Sequence, residues 1–287
     1  MNIAISTGTF YHVPFHKTLE MIKKSGFDYI ELLPYWEGGD SWAMGQHLKN
    51  ISPKESLKII KECGLKISSL HDGGGVIEVG KNSIVAKSTF EFLEYGENDI
   101  PCIVFHVPHK KTDDIKWYDA YRVIVGDDLR AIKNKIICIE NLPNFDGFAA
   151  LSSEPCDLLE FSKENEIYIT IDTTHYAEMG IDIIEAAKIL KERVRTVHLS
   201  DYLAPKRHVF VGEGILDLRG FINQLDISRL HAVTIECDIE YHEDDTTKTV
   251  ERLTNALNYT KSIISIPPYH VTKICLCKKL HKKLQEI

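Results

Sequence analysis

The stretch IICIENLP, residues 136–143, carries the fold prediction for this chain. Its apolar residues run without interruption into Glu140 and Asn141, and Pro143 ends the run. A continuous run of this kind is typical of a strand that is buried on both faces, as in a parallel sheet. Because a glutamate is almost never fully buried unless it is paired or bound to a metal, we expect Glu140 at the polar tip of this strand.

The same construction recurs along the chain. Further strands are predicted at residues 3–7, 29–34, 66–72, 101–108, 168–175, 195–202 and 231–238. Helical patterns lie between them, at 14–24, 52–64, around Phe90 and Leu93, and at 113–135, 154–166, 182–194, 216–225 and 246–263. Strands that alternate with helices indicate parallel strands joined by helical crossovers. Eight such units in a chain near the ~250 residues usual for this fold predict an α/β protein, a single-domain (β/α)8 TIM barrel over residues 1–265, followed by a basic tail at 266–287.

A doubly wound open sheet is the alternative architecture. Its dinucleotide-binding members carry a glycine-rich G-x-G-x-x-G turn after the first strand, and the sequence contains no such turn. Gly212 and Gly214 follow a polar loop after the seventh predicted strand, so this pair carries little weight as a nucleotide motif.

Composition and charge restrict the classes of function. Apolar residues make up 44% and charged residues 26% of the chain, which is ordinary for a globular protein. The net charge of −8 argues against a strongly basic nucleic-acid surface. No apolar run approaches the ~18 residues of a membrane-spanning helix, and the seven scattered cysteines predict reduced core thiols. We therefore expect a cytoplasmic protein that binds neither membrane nor nucleic acid; the oligomeric state stays open, a homo-oligomer included.

Residues that can bind metals stand at the C-terminal ends of most predicted strands. They are Glu31, His71, His106, Glu140, Asp172, His198 and Glu236, separated by 26 to 40 residues, or about one β-α unit each. A closed barrel places them in one ring at its C-terminal mouth, where barrel enzymes hold their active sites. Four crowded carboxylates repel one another unless cations or protonation relieve them. The mixture of imidazole and carboxylate predicts a divalent metal, Zn²⁺, Mn²⁺, Fe²⁺ or Co²⁺ rather than Ca²⁺.

These residues lie in motifs that resemble the xylose-isomerase-like barrels, a family that includes sugar isomerases and epimerases and the endonuclease-IV-type AP endonucleases. The motifs are IENLP at Glu140, IDTTH at Asp172 and His175, VHLSD at His198 and Asp201, RHVFVGEG at His208 and TIECD at Glu236, together with the strands that carry His71 and His106. The resemblance spans roughly residues 1–265, and it rests on the order and spacing of the motifs rather than on any single one.

The first hypothesis for function is a sugar isomerase or epimerase. In the epimerase-like members, the resemblance implies one metal held by four residues: Glu140, Asp172, His198 and Glu236. The cation would chelate adjacent oxygens of a keto-sugar or related polyol and act as a Lewis acid that stabilises an enediolate. Glu140 and Glu236 come from strands on opposite sides of the ring, so one can remove a proton and the other return it. The candidates for contact with substrate are His175, Arg207, His208 and Trp36, and Trp36 has ordinary loop packing as its alternative role.

The second hypothesis is metal-dependent hydrolysis of a phosphodiester in abasic DNA. In the AP endonucleases, the resemblance implies a second metal held by His71, His106 and Glu140. A third metal would need His175, His208 and an aspartate two residues before the latter, where this chain has Lys206. An ammonium group at that position removes a ligand and adds repulsion, so the chain matches the three-metal pattern only in part.

Overall fold

The computed structural model describes residues 1–10, 12–38, 42–44, 46–72, 87–106, 109–111, 132–144, 148–150, 152–239 and 246–265. Eight parallel strands within these ranges form a closed barrel in which each strand neighbours the next one in the chain. They are β1 (Asn2–Ser6), β2 (Tyr29–Leu32), β3 (Lys66–Asp72), β4 (Cys102–His106), β5 (Ile136–Glu140), β6 (Tyr168–Asp172), β7 (Val194–Leu199) and β8 (Ala232–Ile235). β1 pairs with β8 and closes the sheet. The predicted (β/α)8 TIM barrel is thereby confirmed.

Helices occupy the segments between the strands. The described ones are Phe15–Lys24, Pro53–Glu62, Lys87–Tyr95, Pro155–Glu164, Thr173–Glu178, Ile183–Leu190, Leu218–Ile222 and Thr246–Ser265. Ser52 Oγ accepts a hydrogen bond from the backbone N–H of Glu55 at 3.2 Å and so caps the helix Pro53–Glu62. Gly26 and Gly64 follow their helices with positive φ, which favours glycine at these ends. None of the described helices is both long and apolar enough to cross a membrane.

Two predicted segments fall wholly or mostly outside the described residues. The helix expected at 113–135 lies there up to residue 131, and the described residues 132–135 are not helical. The basic tail at 266–287 also lies outside the described ranges. A boundary of the barrel domain at residue 265 therefore stays a prediction.

The fifth and sixth strands are shorter than the sequence predicts. At their C-terminal ends, side chains rather than neighbouring strands form hydrogen bonds with the backbone. β5 ends at Glu140 rather than at Pro143: the next residue, Asn141, uses its carboxamide to accept from the Asp172 N–H (2.7 Å) and to donate to the Asp172 carbonyl (3.0 Å). β6 ends at Asp172 rather than at His175, because the Asp172 carboxylate accepts from the His175 N–H at 2.8 Å and caps a helix. The prediction of strand through His175 was wrong.

The seventh strand is also shorter than predicted, and short antiparallel pairs follow several barrel strands. β7 ends at Leu199 instead of residue 202, because the Ser200 N–H donates to Thr173 Oγ1 at 3.1 Å. The segment after it, described above from the sequence as a polar loop, contains a hairpin. The described pairs are Trp36–Gly38 with Trp42–Met44, His109–Lys111 with Phe148–Ala150, and Asp201–Leu203 with Lys206–Val209.

Alternation along the strands separates two buried sets of side chains. One set packs in the main hydrophobic core and includes Ile103, Ile139, Ile171, Val197 and Ile235. The other precedes the ring residues by two positions, which places it on the same strand face beneath them: Cys138, Thr170, Thr196 and Thr234. Cys102 and Cys138 are buried free thiols, as expected, whereas Cys156 is exposed near the start of the helix Pro155–Glu164, so its assignment to the core was wrong.

Candidate metal centre

Glu140 stands among four imidazoles at the barrel mouth. Its Oε1 lies 3.1 Å from His198 Nδ1 and 3.3 Å from His175 Nδ1. Its Oε2 lies 3.2 Å from His71 Nε2 and 3.1 Å from His106 Nε2. The carboxylate is buried, so its charge is balanced by these rings rather than by bulk water. The structure thus places the residue that opened the fold prediction at the junction of several groups of potential ligands.

The first group is the set that the sequence assigned to a metal: Glu140, Asp172, His198 and Glu236. One ligand atom from each residue lies within 4.8 Å of the others. The register of β6 and β7 sets Asp172 directly opposite His198. His198 Nδ1 lies 2.9 Å from Glu236 Oε2. The Glu236 side chain is 20% exposed, whereas those of Glu140, Asp172 and His198 are at most 1% exposed, so Glu236 is the member that solvent and a substrate can reach.

The ligand atoms of this group are close together without bonding one another. Among the described residues, hydrogen-bond partners are lacking for both carboxylate oxygens of Glu140 and for Asp172 Oδ2, Glu236 Oε2 and His198 Nδ1. Buried polar atoms are rarely left in this way, because each unsatisfied one costs about 1–3 kcal/mol. One nitrogen and three carboxylates form a donor set suited to Zn²⁺, Mn²⁺, Fe²⁺ or Co²⁺. The residues present therefore fit the predicted class of cofactor.

A second group consists of His71, His106 and Glu140. His71 Nε2 and His106 Nε2 are 2.8 Å apart, and the two rings meet nearly edge to face, with an interplanar angle of 85°. Both nitrogens also approach the same oxygen of Glu140, Oε2. The three atoms lie close enough together to hold a second cation, at the position that the resemblance to the AP endonucleases implied.

A third group consists of Asp172, His175 and His208. His175 Nδ1 is 2.8 Å from the Asn141 carbonyl, which only accepts, so Nδ1 carries a proton and Nε2 is the nitrogen left for a ligand. His208, held at a positive φ of 47°, has Nδ1 3.2 Å from Ser200 Oγ and 3.3 Å from the Glu236 carbonyl. Lys206 lies exposed in the neighbouring hairpin, so the third group has a carboxylate from Asp172 alone.

The remaining predicted substrate contacts have different outcomes. Arg207 Nη1 lies 3.3 Å from Glu178 Oε2, and its side chain is 44% exposed, so it forms an ion pair at the surface. His208, the next residue, is brought into the site. The backbone of Trp36 begins a short strand, and its side chain lies outside the part of the chain that the structure describes.

The charges in the centre compensate one another. Burial lowers the pKa of His71, but the nearby carboxylates of Glu140 and Glu31 raise it to about 10. Burial also disfavours charge on His198, yet Glu140 and Glu31 hold its pKa well above the usual range. The pKa of Glu140 would rise on burial, but the charges of His198 and His106 bring it well below its usual value. The carboxylates thus favour positive charge on His71 and His198, and the imidazoles favour ionisation of Glu140.

Sequence reasoning missed two residues that build this site. Asn141 of the IENLP motif joins the tips of β5 and β6 through its carboxamide, as described above. Asp201 of the VHLSD motif accepts hydrogen bonds from the backbone N–H groups of Tyr202, Gly212 and Leu216 and so fixes the Gly212–Gly214 loop beside the hairpin that carries His208. Each motif signalled its residue, but sequence alone does not indicate that its role is to hold neighbouring segments.

The fold agrees with a comparison to known families. A family profile described as xylose isomerase-like TIM barrel matches residues 19–262. The chain therefore belongs to this family, as its motifs predicted. Sequence comparison with curated proteins found no match.

Solved structures of similar fold include three informative neighbours. A xylose isomerase domain protein from Alicyclobacillus acidocaldarius subsp. acidocaldarius has a TM-score of 0.69 at 13% identity, covering 92% of this chain and 98% of its own. D-Psicose 3-epimerase from Clostridium cellulolyticum H10, solved with D-tagatose, has a TM-score of 0.69 at 14% identity, covering 93% and 100%. A probable 3-DHS dehydratase, AsbF from Bacillus anthracis, has a TM-score of 0.63 at 18% identity, covering 91% and 99%. At these identities the likeness shows a common fold.

Proposed function

We propose that this protein is a divalent-metal-dependent isomerase or epimerase that acts on a keto-sugar or a related polyol. The observation that carries the proposal is the buried group Glu140, Asp172, His198 and Glu236, whose ligand atoms lie together without hydrogen-bond partners among the described residues. Family membership supports it, as do neighbours of the same fold whose names describe sugar epimerases.

The metal, when bound, would supply Lewis acidity that polarises the carbonyl group and stabilises negative charge on its oxygen. Glu236 is suited to move a proton, because it is the accessible carboxylate and because the nearby His198 charge outweighs burial and lowers its pKa to about 2. It is therefore ionised at neutral pH and can accept a proton from the carbon beside the carbonyl. For epimerisation, Glu140 on the other side of the ring would take a proton from an adjacent imidazole, such as His175 at 3.3 Å, and deliver it to the opposite face, while the proton taken by the accessible Glu236 leaves to solvent. Return of the abstracted proton by Glu236 to the neighbouring carbon gives isomerisation.

Two imidazoles are placed to orient the substrate. His175 is fixed through its Nδ1–H to the Asn141 carbonyl, which leaves Nε2 to form a hydrogen bond with a hydroxyl group. His208 is held near the Ser200 hydroxyl and the Glu236 carbonyl, and the two rings meet at a centroid distance of 5.3 Å. Hydrogen-bonding groups on fixed rings favour one orientation of a polyol over the others, because each hydroxyl group must find its partner.

A second candidate function, hydrolysis of a phosphodiester in abasic DNA, is favoured by one observation. The second and third groups, which share Glu140 and Asp172 with the first, could hold further cations. The net charge of −8 and the lysine at residue 206 argue against it, since DNA binding is driven by positive charge and the third group lacks its own carboxylate.

The test is a conversion assay on metal-free protein reconstituted with Mn²⁺, Co²⁺, Mg²⁺ or Zn²⁺. A panel of ketoses and inososes is followed by nuclear magnetic resonance for the appearance of an epimer or isomer. We expect at least one substrate to be converted by the wild type, and none by Asp172→Asn or His198→Ala. Glu178→Gln, which alters only the exposed pair with Arg207, is a control for general damage to the barrel.

Two results would overturn the proposal. One is that no ketose or inosose is converted with any of the four metals. The other is cleavage of abasic DNA by protein that contains three metal ions per chain, which would establish the second candidate instead.

A further inference from the structure

Glu31, near the end of β2, is not a member of the first group of ligands, although it lies close to His71, His198 and Glu236 in a further group that could hold a metal. Both of its carboxylate oxygens are 3.1 Å from His198 Nε2. Ser69, opposite Glu31 in the register of β2 and β3, donates its hydroxyl to Glu31 Oε2 at 2.7 Å. The side chain is fully buried, so these contacts fix its position without competition from water.

The two nitrogens of His198 face different carboxylates. Nδ1 lies 3.1 Å from Glu140 and 2.9 Å from Glu236, both members of the first group. Nε2, on the other edge of the ring, faces Glu31. A neutral imidazole carries one proton, and the nitrogen without it is the one that binds a metal. An ionised carboxylate only accepts. With a cation on the side of Nδ1, where Glu140 and Glu236 lie, the one proton of the ring would be on Nε2, where Glu31 accepts it, and Nδ1 would be bare.

Glu31 also faces the second group. His71 Nδ1 is 3.5 Å from Glu31 Oε1, while His71 Nε2 points to His106 and Glu140. The two rings that Glu31 contacts lie side by side, with centroids 4.9 Å apart. One carboxylate therefore stands behind both imidazoles, as Glu140 stands in front of both.

We propose that Glu31 is the positioning residue of the metal centre: it holds the Nε2–H of His198 and thereby directs Nδ1 to the cation shared with Glu140, Asp172 and Glu236. Carboxylates that accept the second N–H of a metal-bound histidine fix its orientation and raise its basicity. The inference rests on the metal-binding part of the proposed function and is independent of the substrate.

The first test compares metal affinity by isothermal titration calorimetry of metal-free protein with Mn²⁺. Glu31→Gln keeps the shape of the side chain but can present an N–H to His198, so the dissociation constant should rise about 10- to 100-fold. The matched control is Ser69→Ala, which removes a neutral hydrogen bond to the same carboxylate and leaves its charge facing His198; its change should be much smaller. Equal affinity in Glu31→Gln and wild type would overturn the proposal.

The second test needs no variant and so does not depend on whether Glu31→Gln folds. In Zn²⁺-loaded wild-type protein with ¹⁵N-labelled histidine, His198 should show its proton on Nε2, protected from exchange with solvent. A proton on Nδ1, with the metal on Nε2, would contradict the proposal. A purely structural role for Glu31 would lower the unfolding temperature of the metal-free protein without changing the metal affinity of the folded fraction, and that outcome also counts against it.

Failure of this inference and failure of the proposed function give different results. If Glu31→Gln weakens metal binding as expected but the wild type converts no ketose or inosose, the positioning role stands and the proposed activity falls. If the wild type binds no divalent metal, both fall together.

Discussion

Replacing Asp172 separates two tasks that the structure gives to one carboxylate. Asp172 Oδ1 accepts the His175 N–H and caps the helix Thr173–Glu178. Asp172 Oδ2 lies in the first group of ligands and has no hydrogen-bond partner among the described residues. Asp172→Asn keeps an oxygen for the cap but removes the anionic ligand, whereas Asp172→Ala removes both.

The two variants should differ in the stability of the metal-free protein, and both should lose most of the stabilisation that added metal gives the wild type. Loss of the cap in Asp172→Ala should lower the free energy of unfolding by about 1 kcal/mol, which shifts the unfolding temperature of a chain this large by roughly 2–4 °C. Metal at 100 times its dissociation constant stabilises the wild type by about 2.7 kcal/mol. If either substitution weakens binding about 100-fold, the same metal concentration adds only about 0.4 kcal/mol.

Thermal unfolding with and without Mn²⁺, followed by circular dichroism, measures both effects. Asp172→Asn should unfold close to the wild-type temperature without metal and should lose most of the increase that metal produces. Preservation of that increase in Asp172→Asn would refute the assignment of Asp172 as a ligand. Equal destabilisation of the Asn and Ala variants without metal would refute the capping argument.

Three further predictions follow from the same geometry. Glu236→Gln should lower kcat about 10²- to 10⁴-fold, the range for loss of a general base, while weakening Mn²⁺ binding less than Asp172→Asn; equal loss of binding in calorimetry would remove the case for Glu236 as a proton carrier. Metal affinity should rise with pH between 6 and 8, by about tenfold per unit for each proton displaced, because the pKa of His198 is held well above its usual range and the ring must lose a proton to bind metal; an affinity that stays constant over this range contradicts the assignment. Gly214→Ala should lower the free energy of unfolding in urea by about 1–3 kcal/mol, because the new Cβ would lie 2.5 Å from the Tyr202 carbonyl. An unchanged free energy of unfolding would contradict this close packing of the loop.

The strands and their order were predictable because the sequence of a buried parallel strand is a run of apolar residues that ends in a polar residue. The run at 136–143 and its counterparts set the ring residues one β-α unit apart, and the closed barrel brings them together as expected. The lengths of the strands were less predictable. In the sequence, Asp172 and Asn141 follow apolar runs and were predicted to lie within strands. In the structure, their side chains form hydrogen bonds with backbone groups at the ends of the strands, and the pairing of strands stops there.

The division of labour within the site could not be read from the sequence. Glu31 and Glu140 both lie near the C-terminal ends of strands and both contact His198, yet one faces Nε2 and the other Nδ1. Which edge of an imidazole meets which carboxylate depends on barrel closure and on the rotation of the ring, and spacing along the chain contains neither. Arg207 illustrates the same limit: its neighbour His208 enters the site, while Arg207 pairs with Glu178 at the surface, since adjacent residues of a strand point to opposite sides.

The central claim is that carboxylates at the barrel mouth carry a proton to and from the carbon beside a carbonyl group. Its most direct test is the deuterium content of the ketose product formed in D₂O by metal-loaded protein. The account predicts one deuterium at that carbon in product made by the wild type, and none in ketose incubated with Glu236→Gln or with metal-free protein. Product that forms without deuterium, or exchange at an unchanged rate in Glu236→Gln, would contradict it.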